Sequence, residues 1–291
     1  MHRCKSIVLC IALFFCLSAP VGLFAAQTRN PGADQIKQRV ITLAPHITEL
    51  IFAAGAGGRI VATVDSSTYP AAARSIPRIG DGVSVSVEKV VASRPDLVVA
   101  WMPSNATRML MPALTGLHVP LIYSSPRKMA DIPTEIARFG ELLDTTQIAT
   151  QTAEKLTRQI AALRTKYSQR DPVSVFIEVG SLPLYTIGQD PLVNDALRIC
   201  GGVNVYANLP PAAQVSAESV LMERPDVVIT SATGKKGLGR RIDAWSALRL
   251  PAALRHHVYF IDPDELFRPG PRMIDATQEL CEILDRVRQA V

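Results

Sequence analysis

The chain has 291 residues, with 31 Lys and Arg against 26 Asp and Glu, a formal charge of +5 and 48% hydrophobic side chains. That balance belongs to a globular protein, and the length suits two lobes that each bury a core. The positive excess is scattered, with no run of Lys or Arg interleaved with aromatics, which excludes a nucleic-acid-binding stripe.

Residues 1–26 read as a signal for export. Arg3 and Lys5 form a positive start, Ser6 to Leu23 is apolar, and Ala25-Ala26 supplies small residues before Gln27. Ser18 and Pro20 interrupt the run and no basic stop-transfer flank follows, which favours cleavage over a membrane anchor. Cys10 and Cys16 lack the small preceding residues that a lipidation signal usually carries. Cleavage would lower the charge to +3 and leave only Cys200 and Cys281, an even pair that in an exported protein reads as a disulfide rather than two buried thiols.

The next elements describe an N-terminal α/β lobe over residues 27–144. Val40 to Leu43, Ile60 to Val64, Leu97 to Trp101 and Leu121 to Tyr123 are short, β-branched or apolar runs of the kind found in buried parallel strands. Thr48 to Ala54 and Val87 to Ser93 are helical candidates between them. Residues 145–170 then carry Ala149, Ala153, Leu156, Ile160, Leu163 and Tyr167 at intervals of three and four, one face of a helix spanning on the order of 30 Å. A second lobe over residues 171–291 repeats the strand rhythm with Val173 to Val179, Val227 to Thr230 and Val258 to Ile261. The expected fold is therefore α/β: two Rossmann-like lobes with parallel central sheets, and a long helix that either bridges them stiffly or lies on the surface of one.

One segment occurs twice. Ser86-Val-Glu88-Lys-Val90 through Arg94-Pro95-Asp96 is matched without a gap by Ser216-Ala-Glu218-Ser-Val220 through Arg224-Pro225-Asp226, a displacement of 130 positions throughout. The serine and the acid two residues later make a helix N-cap and a favourable first-turn charge, and Arg-Pro-Asp ends the helix. With one copy per lobe, Glu88 and Glu218 also form a pair of acidic points able to dock a two-fold partner with basic pockets.

Hydrolase chemistry finds no foothold. There is no G-x-S-x-G, no H-E-x-x-H and no His or Cys pair at zinc-ligand spacing. Ligand candidates instead follow the strand-end rule of open α/β sheets. Trp101 ends a strand beside Met102 to Asn105, while Tyr69 and Tyr185 stand in loops that can face a cleft. Phe267 and Arg268 add an aromatic and a guanidinium near the C-terminus. His46, directly after the first strand, is either an axial contact to a metal-containing ligand or an uncharged ring near a helix N-terminus.

These motifs carry a resemblance. Arg39 to Leu50, the Glu88 and Glu218 segments, Tyr185-Thr-Ile-Gly188, Leu197-Arg-Ile-Cys200-Gly201-Gly202-Val-Asn204 and Gln278-Glu-Leu-Cys281 resemble periplasmic substrate-binding proteins of ABC importers. The similarity runs over residues 38 to 289 and is strongest to the cobalamin-binding branch of the helical-backbone type. It implies two lobes joined by one long rigid helix with a ligand cleft between them, in a periplasmic, non-enzymatic monomer that captures a corrinoid there, with cobalamin as cargo and no cofactor. It also implies that Glu88 and Glu218 engage an ABC permease dimer and that Cys200 pairs with Cys281. Where some relatives place a tryptophan before each glutamate, this chain has Gly82-Val83 and Pro211-Ala212, a changed cleft chemistry. Haem or a ferric siderophore is the alternative cargo, with His46 or a tyrosine as iron ligand in the haem case, and an exported metal-dependent enzyme is the reading from another class.

Overall fold

The computed structural model describes residues 38–231 and 234–290, and the expected export signal over 1–26 lies outside them. Strands β1 (Val40–Thr42), β2 (Ile60–Ala62), β3 (Leu97–Ala100) and β4 (Leu121–Tyr123) form a wholly parallel sheet in the order β2-β1-β3-β4. Helices α1 (Pro45–Ala53), α2 (Val87–Ala92), α3 (Asn105–Gly116) and α4 (Asp131–Leu142) alternate with them. α1 begins three residues before the expected Thr48, because proline at the first helical position gives up no needed N–H. His46 therefore lies within the first turn.

α5 (Thr146–Tyr167) is the long helix that the periodicity predicts, and Ala149, Leu156, Ile160 and Tyr167 are its buried stripe. It packs on α4 and, further along, on α6 (Pro191–Ile199) and α11 (Pro271–Gln289), so it touches both halves of the chain.

The second sheet is built on β5 (Val173–Val179). Parallel to it run β7 (Gly202–Asn204) and β9 (Val227–Thr230), with β10 (Val258–Phe260) parallel beyond β9. An antiparallel margin of β6 (Tyr185–Ile187) and β8 (Ala212–Gln214) extends the other side, so this sheet is mixed where the sequence suggests a purely parallel one. The remaining helices are α7 (Ala217–Glu223), α8 (Gly234–Ala247), α9 (Pro251–Leu254) and α10 (Pro263–Leu266).

Alternation along the strands divides the interior into three. Val40, Val99, Val175, Ile177, Val227 and Ile229 share one core with α1, α4, α5, α6 and α11, so one face of each sheet meets a common middle layer. Ile41 and Val98 face a second core under α2 and α3, and Phe176 and Val228 face a third, around Trp245. A disulfide joins Cys200, at the end of α6, to Cys281 in α11. Gly201 follows because the backbone there is left-handed, φ +67°, and an added Cβ would lie 2.9 Å from the Tyr167 carbonyl oxygen.

The two copies of the repeated segment are built alike. Ser86 caps α2 by accepting from the Lys89 N–H at 3.2 Å, and Ser216 caps α7 by accepting from the Ser219 N–H at 3.1 Å. Val90 and Val220 are wholly buried, and Arg94 and Arg224 both turn the chain through left-handed φ, 45° and 46°. Asp96 Oδ2 then accepts the Arg39 N–H at 2.8 Å and Asp226 Oδ2 the Ser174 N–H at 2.9 Å, tying each repeat to the start of its sheet's strand.

Candidate functional site

A cleft with a volume of about 300 Å³ draws on both halves. From the first come Trp101 and Met102, past the end of β3, and Ser125, Pro126 and Arg127, past the end of β4; from the second come Ile187 of β6, Asp190 to Val193 at the start of α6, Pro211, Phe267, Pro269 and Met273. The first group stands at strand carboxyl ends, where a ligand in an open α/β sheet is expected. Two aromatics, two methionines and four prolines make the walls rigid and apolar.

Hydrogen bonds fix the second-half wall. Asp190 Oδ1 caps α6 by accepting from the Leu192 and Val193 N–H groups at 3.0 and 2.8 Å. Asn204 donates to the Ile187 carbonyl at 2.8 Å and to Asn194 Oδ1 at 3.0 Å, and Asn194 donates to the Gly188 carbonyl at 2.8 Å. The Gly-Val-Asn motif thus holds the turn that presents Ile187 and Asp190.

Among the expected ligand residues, Trp101 and Phe267 line this cleft and Tyr69, Tyr185 and Arg268 do not. Tyr185 shares its strand face with Ile187, two residues on, and is 36% exposed. Tyr69 lies under the Arg272 guanidinium, 4.2 Å from ring centroid to Cζ. Arg268 is spent on structure, pairing with Asp264 at 2.6 Å and donating to the Ser66 carbonyl at 3.2 Å. Arg127, Asp190 and Pro211 line the cleft without having been singled out as ligand residues; the strand-end rule that finds Trp101 would also have found Arg127.

His46 is buried. Its Nε2 lies 3.3 Å from the Ser124 carbonyl, so that nitrogen donates, and its ring meets Trp101 edge-on at 5.3 Å between centroids. Burial pushes its pKa down to about 4, against the raising effect of the Ser124 bond, with Arg268 lowering it further. The imidazole is neutral and serves as a wedge behind Trp101. Among the described residues, no group of three or more His, Cys, Asp or Glu could hold a metal ion.

A family model described as periplasmic binding protein matches residues 40–265, from β1 to α10. The chain belongs to the periplasmic binding protein family. It is 31% identical over 277 residues to a vitamin B12-binding protein of Vibrio parahaemolyticus, covering 94% of this chain and 98% of that one. A vitamin B12-binding protein of Yersinia pestis is 32% identical over 249 residues, 85% of this chain and 86% of the relative. Among solved structures, the periplasmic vitamin B12 binding protein of Vibrio cholerae superposes with a TM-score of 0.79 at 30% identity, over 86% of this chain and 98% of that one. A periplasmic haem-binding protein solved with two haems shares the fold, with a TM-score of 0.74 at 22% identity over 86% and 98% of the two chains.

In this periplasmic binding protein the two repeat glutamates stand apart from the cleft lining, exposed in the first turns of α2 and α7. The backbone N–H of Glu88 and the Ser86 hydroxyl hold the Glu88 carboxyl below the usual carboxylate range, and the N–H of Glu218 with the Ser216 hydroxyl do the same for Glu218. Both acids keep their charge into mild acid.

Proposed function

We propose that this chain is an exported, non-catalytic binding protein that captures a cobalamin-class corrinoid in the cleft and delivers it to an ABC import permease. The observation that carries the reading is an aromatic-walled, apolar cleft contributed by both halves, in a chain 30–32% identical to vitamin B12-binding proteins over most of their length. Trp101 and Phe267 supply flat walls, with Tyr69 and Tyr185 further out. A whole corrinoid exceeds about 300 Å³, so its polar side chains project from the mouth. Residues 27–144 and 171–291 act as the two lobes and 145–170 as the bridge, in a periplasmic monomer released by cleavage of residues 1–26. Glu88 and Glu218 meet basic pockets of a dimeric permease.

Titration of the purified protein with cyanocobalamin, ferric siderophores and haemin, followed by absorbance and calorimetry, tests the cargo. Tight binding of cyanocobalamin is expected, and no corrinoid binding below the micromolar range overturns the reading. Haem capture would need an iron ligand, yet His46 Nε2 is committed to Ser124 and Tyr69 lies beneath Arg272.

A further inference from the structure

We propose that Arg127 reads the charge of the ligand, binding an anionic phosphodiester at the mouth of the cleft, while Asp190 on the second-half wall accepts amide N–H groups of the same molecule. The assignment rests on the corrinoid reading and deepens it.

The cations around the cleft differ in what they have left to give. Arg268 is paired with Asp264 and bonded to Ser66, and Arg272 is held by Glu49, Glu265 and the Tyr69 ring. Arg127 lines the cleft, and among the described residues its guanidinium has no hydrogen bond, ion pair or ring partner. The neighbouring carboxylates bond the backbone instead. Asp131 Oδ2 accepts the Arg127 and Lys128 backbone N–H groups at 2.8 and 2.9 Å, and the buried Asp195 accepts the Met129 N–H at 2.9 Å.

Those three bonds also fix where the side chain starts. Two carboxylates, one of them from the second half, hold consecutive backbone N–H groups of the segment, so the guanidinium leaves a rigid base at the end of β4. It is exposed, and apolar walls of Pro126, Trp101 and Met102 adjoin it. A charge beside low-dielectric walls attracts an opposite charge more strongly than one in open water, and its planar fork suits phosphate oxygens. Asp190 sets the other pole. Its Oδ1 is used in capping, and its Oδ2 has no partner among the described residues, so it repels an anion and favours a donor. A ligand bearing both a phosphodiester and carboxamides satisfies both walls, and cobalamin carries both.

Cyanocobalamin and dicyanocobinamide separate the two groups, since the second keeps the corrin ring and its amides but lacks the nucleotide loop and phosphodiester. Calorimetry on the wild type, Arg127→Gln and Arg127→Lys gives the coupling between residue and phosphate. The expected result is a loss of about tenfold to a hundredfold for cyanocobalamin in Arg127→Gln, the worth of a hydrogen bond to a charged group. Dicyanocobinamide binding should stay within about twofold and Arg127→Lys should recover part of the loss. The thermal midpoint should not move, because Asp131 holds the backbone of residue 127 and not its side chain. Equal losses on both ligands, or none on either, overturn the Arg127 assignment and leave the corrinoid reading standing. A folded wild type that binds neither ligand overturns both.

Discussion

Arg272 of the last helix clasps Glu49 of the first, 223 positions away, through hydrogen bonds of 2.6 and 3.1 Å. Glu49 is 3% exposed, and its surroundings raise its pKa: desolvation is the largest cause and outweighs the opposing pull of Arg272. The pair is a cross-link between the two halves. Arg272→Met leaves a buried carboxylate without its partner, at an expected cost of about 3 kcal/mol near neutral pH, measured by urea unfolding. A raised acid pKa means the native state holds its proton more tightly than the unfolded chain, a contribution present below the ordinary value of 4.5 and lost as pH rises through the folded pKa. The cost of Arg272→Met should therefore shrink as pH falls toward the ordinary carboxylate value of 4.5. An undiminished cost at that pH would refute the account.

His46 gives the opposite slope. Its pKa is depressed to about 4 from 6.5, chiefly by burial, so the stability it contributes is present above 6.5 and lost as pH falls from there toward 4. The full loss is about 3 kcal/mol. Comparing thermal midpoints of the wild type and His46→Gln from pH 7.5 to 4.5 should show a shallower decline in the variant, and an NMR titration should show the imidazole neutral at pH 5.5.

The disulfide closes a loop with a sequence separation of 81 residues between α6 and α11. Double replacement of Cys200 and Cys281 by Ser is expected to cost about 2–4 kcal/mol on the chain-entropy account. Because Asp190 caps α6 and α11 carries Met273, both in the cleft wall, corrinoid affinity should be tested alongside stability. A loss of stability with affinity intact at low temperature is the expected outcome.

Replacing both Glu88 and Glu218 by Ala should leave cyanocobalamin affinity within about twofold. Association with a cobalamin-importing ABC permease in lipid nanodiscs should weaken about tenfold or more, and more at low salt than at high. Since both carboxyls are held below the usual range, wild-type association should persist at pH 5.5. If corrinoid binding collapsed instead, the acids would belong to ligand capture.

The parts of this fold legible in the sequence are those written in local pattern. Val40 to Thr42, Leu97 to Ala100 and Val227 to Thr230 are runs of β-branched and apolar residues, and the α5 stripe keeps its helical interval to Tyr167. The antiparallel margin escaped because Ala212-Ala213-Gln214 has neither β-branching nor a clear apolar alternation, and only pairing with β6 makes it a strand. In the site, Trp101 and Phe267 could be chosen by residue type and position. Arg268 is only half legible that way: Asp264, four positions before it, is a local ion-pair partner, but its Ser66 partner lies 202 positions off. The place of Arg127 past the end of β4 is legible by the same rule as Trp101, while its unpartnered guanidinium is visible only once its neighbours' bonds are known.

Asp96 and Asp226 do more than finish a turn. Each bolts the foot of a glutamate-bearing helix to the first residues of a sheet, and the two sheets bear on one middle layer. The span from Glu88 to Glu218 is thus set by packed strands instead of loose loops, which makes the molecule a caliper. A partner that engaged both tips would meet a gauge of fixed setting, one that the strands decide and the loops do not.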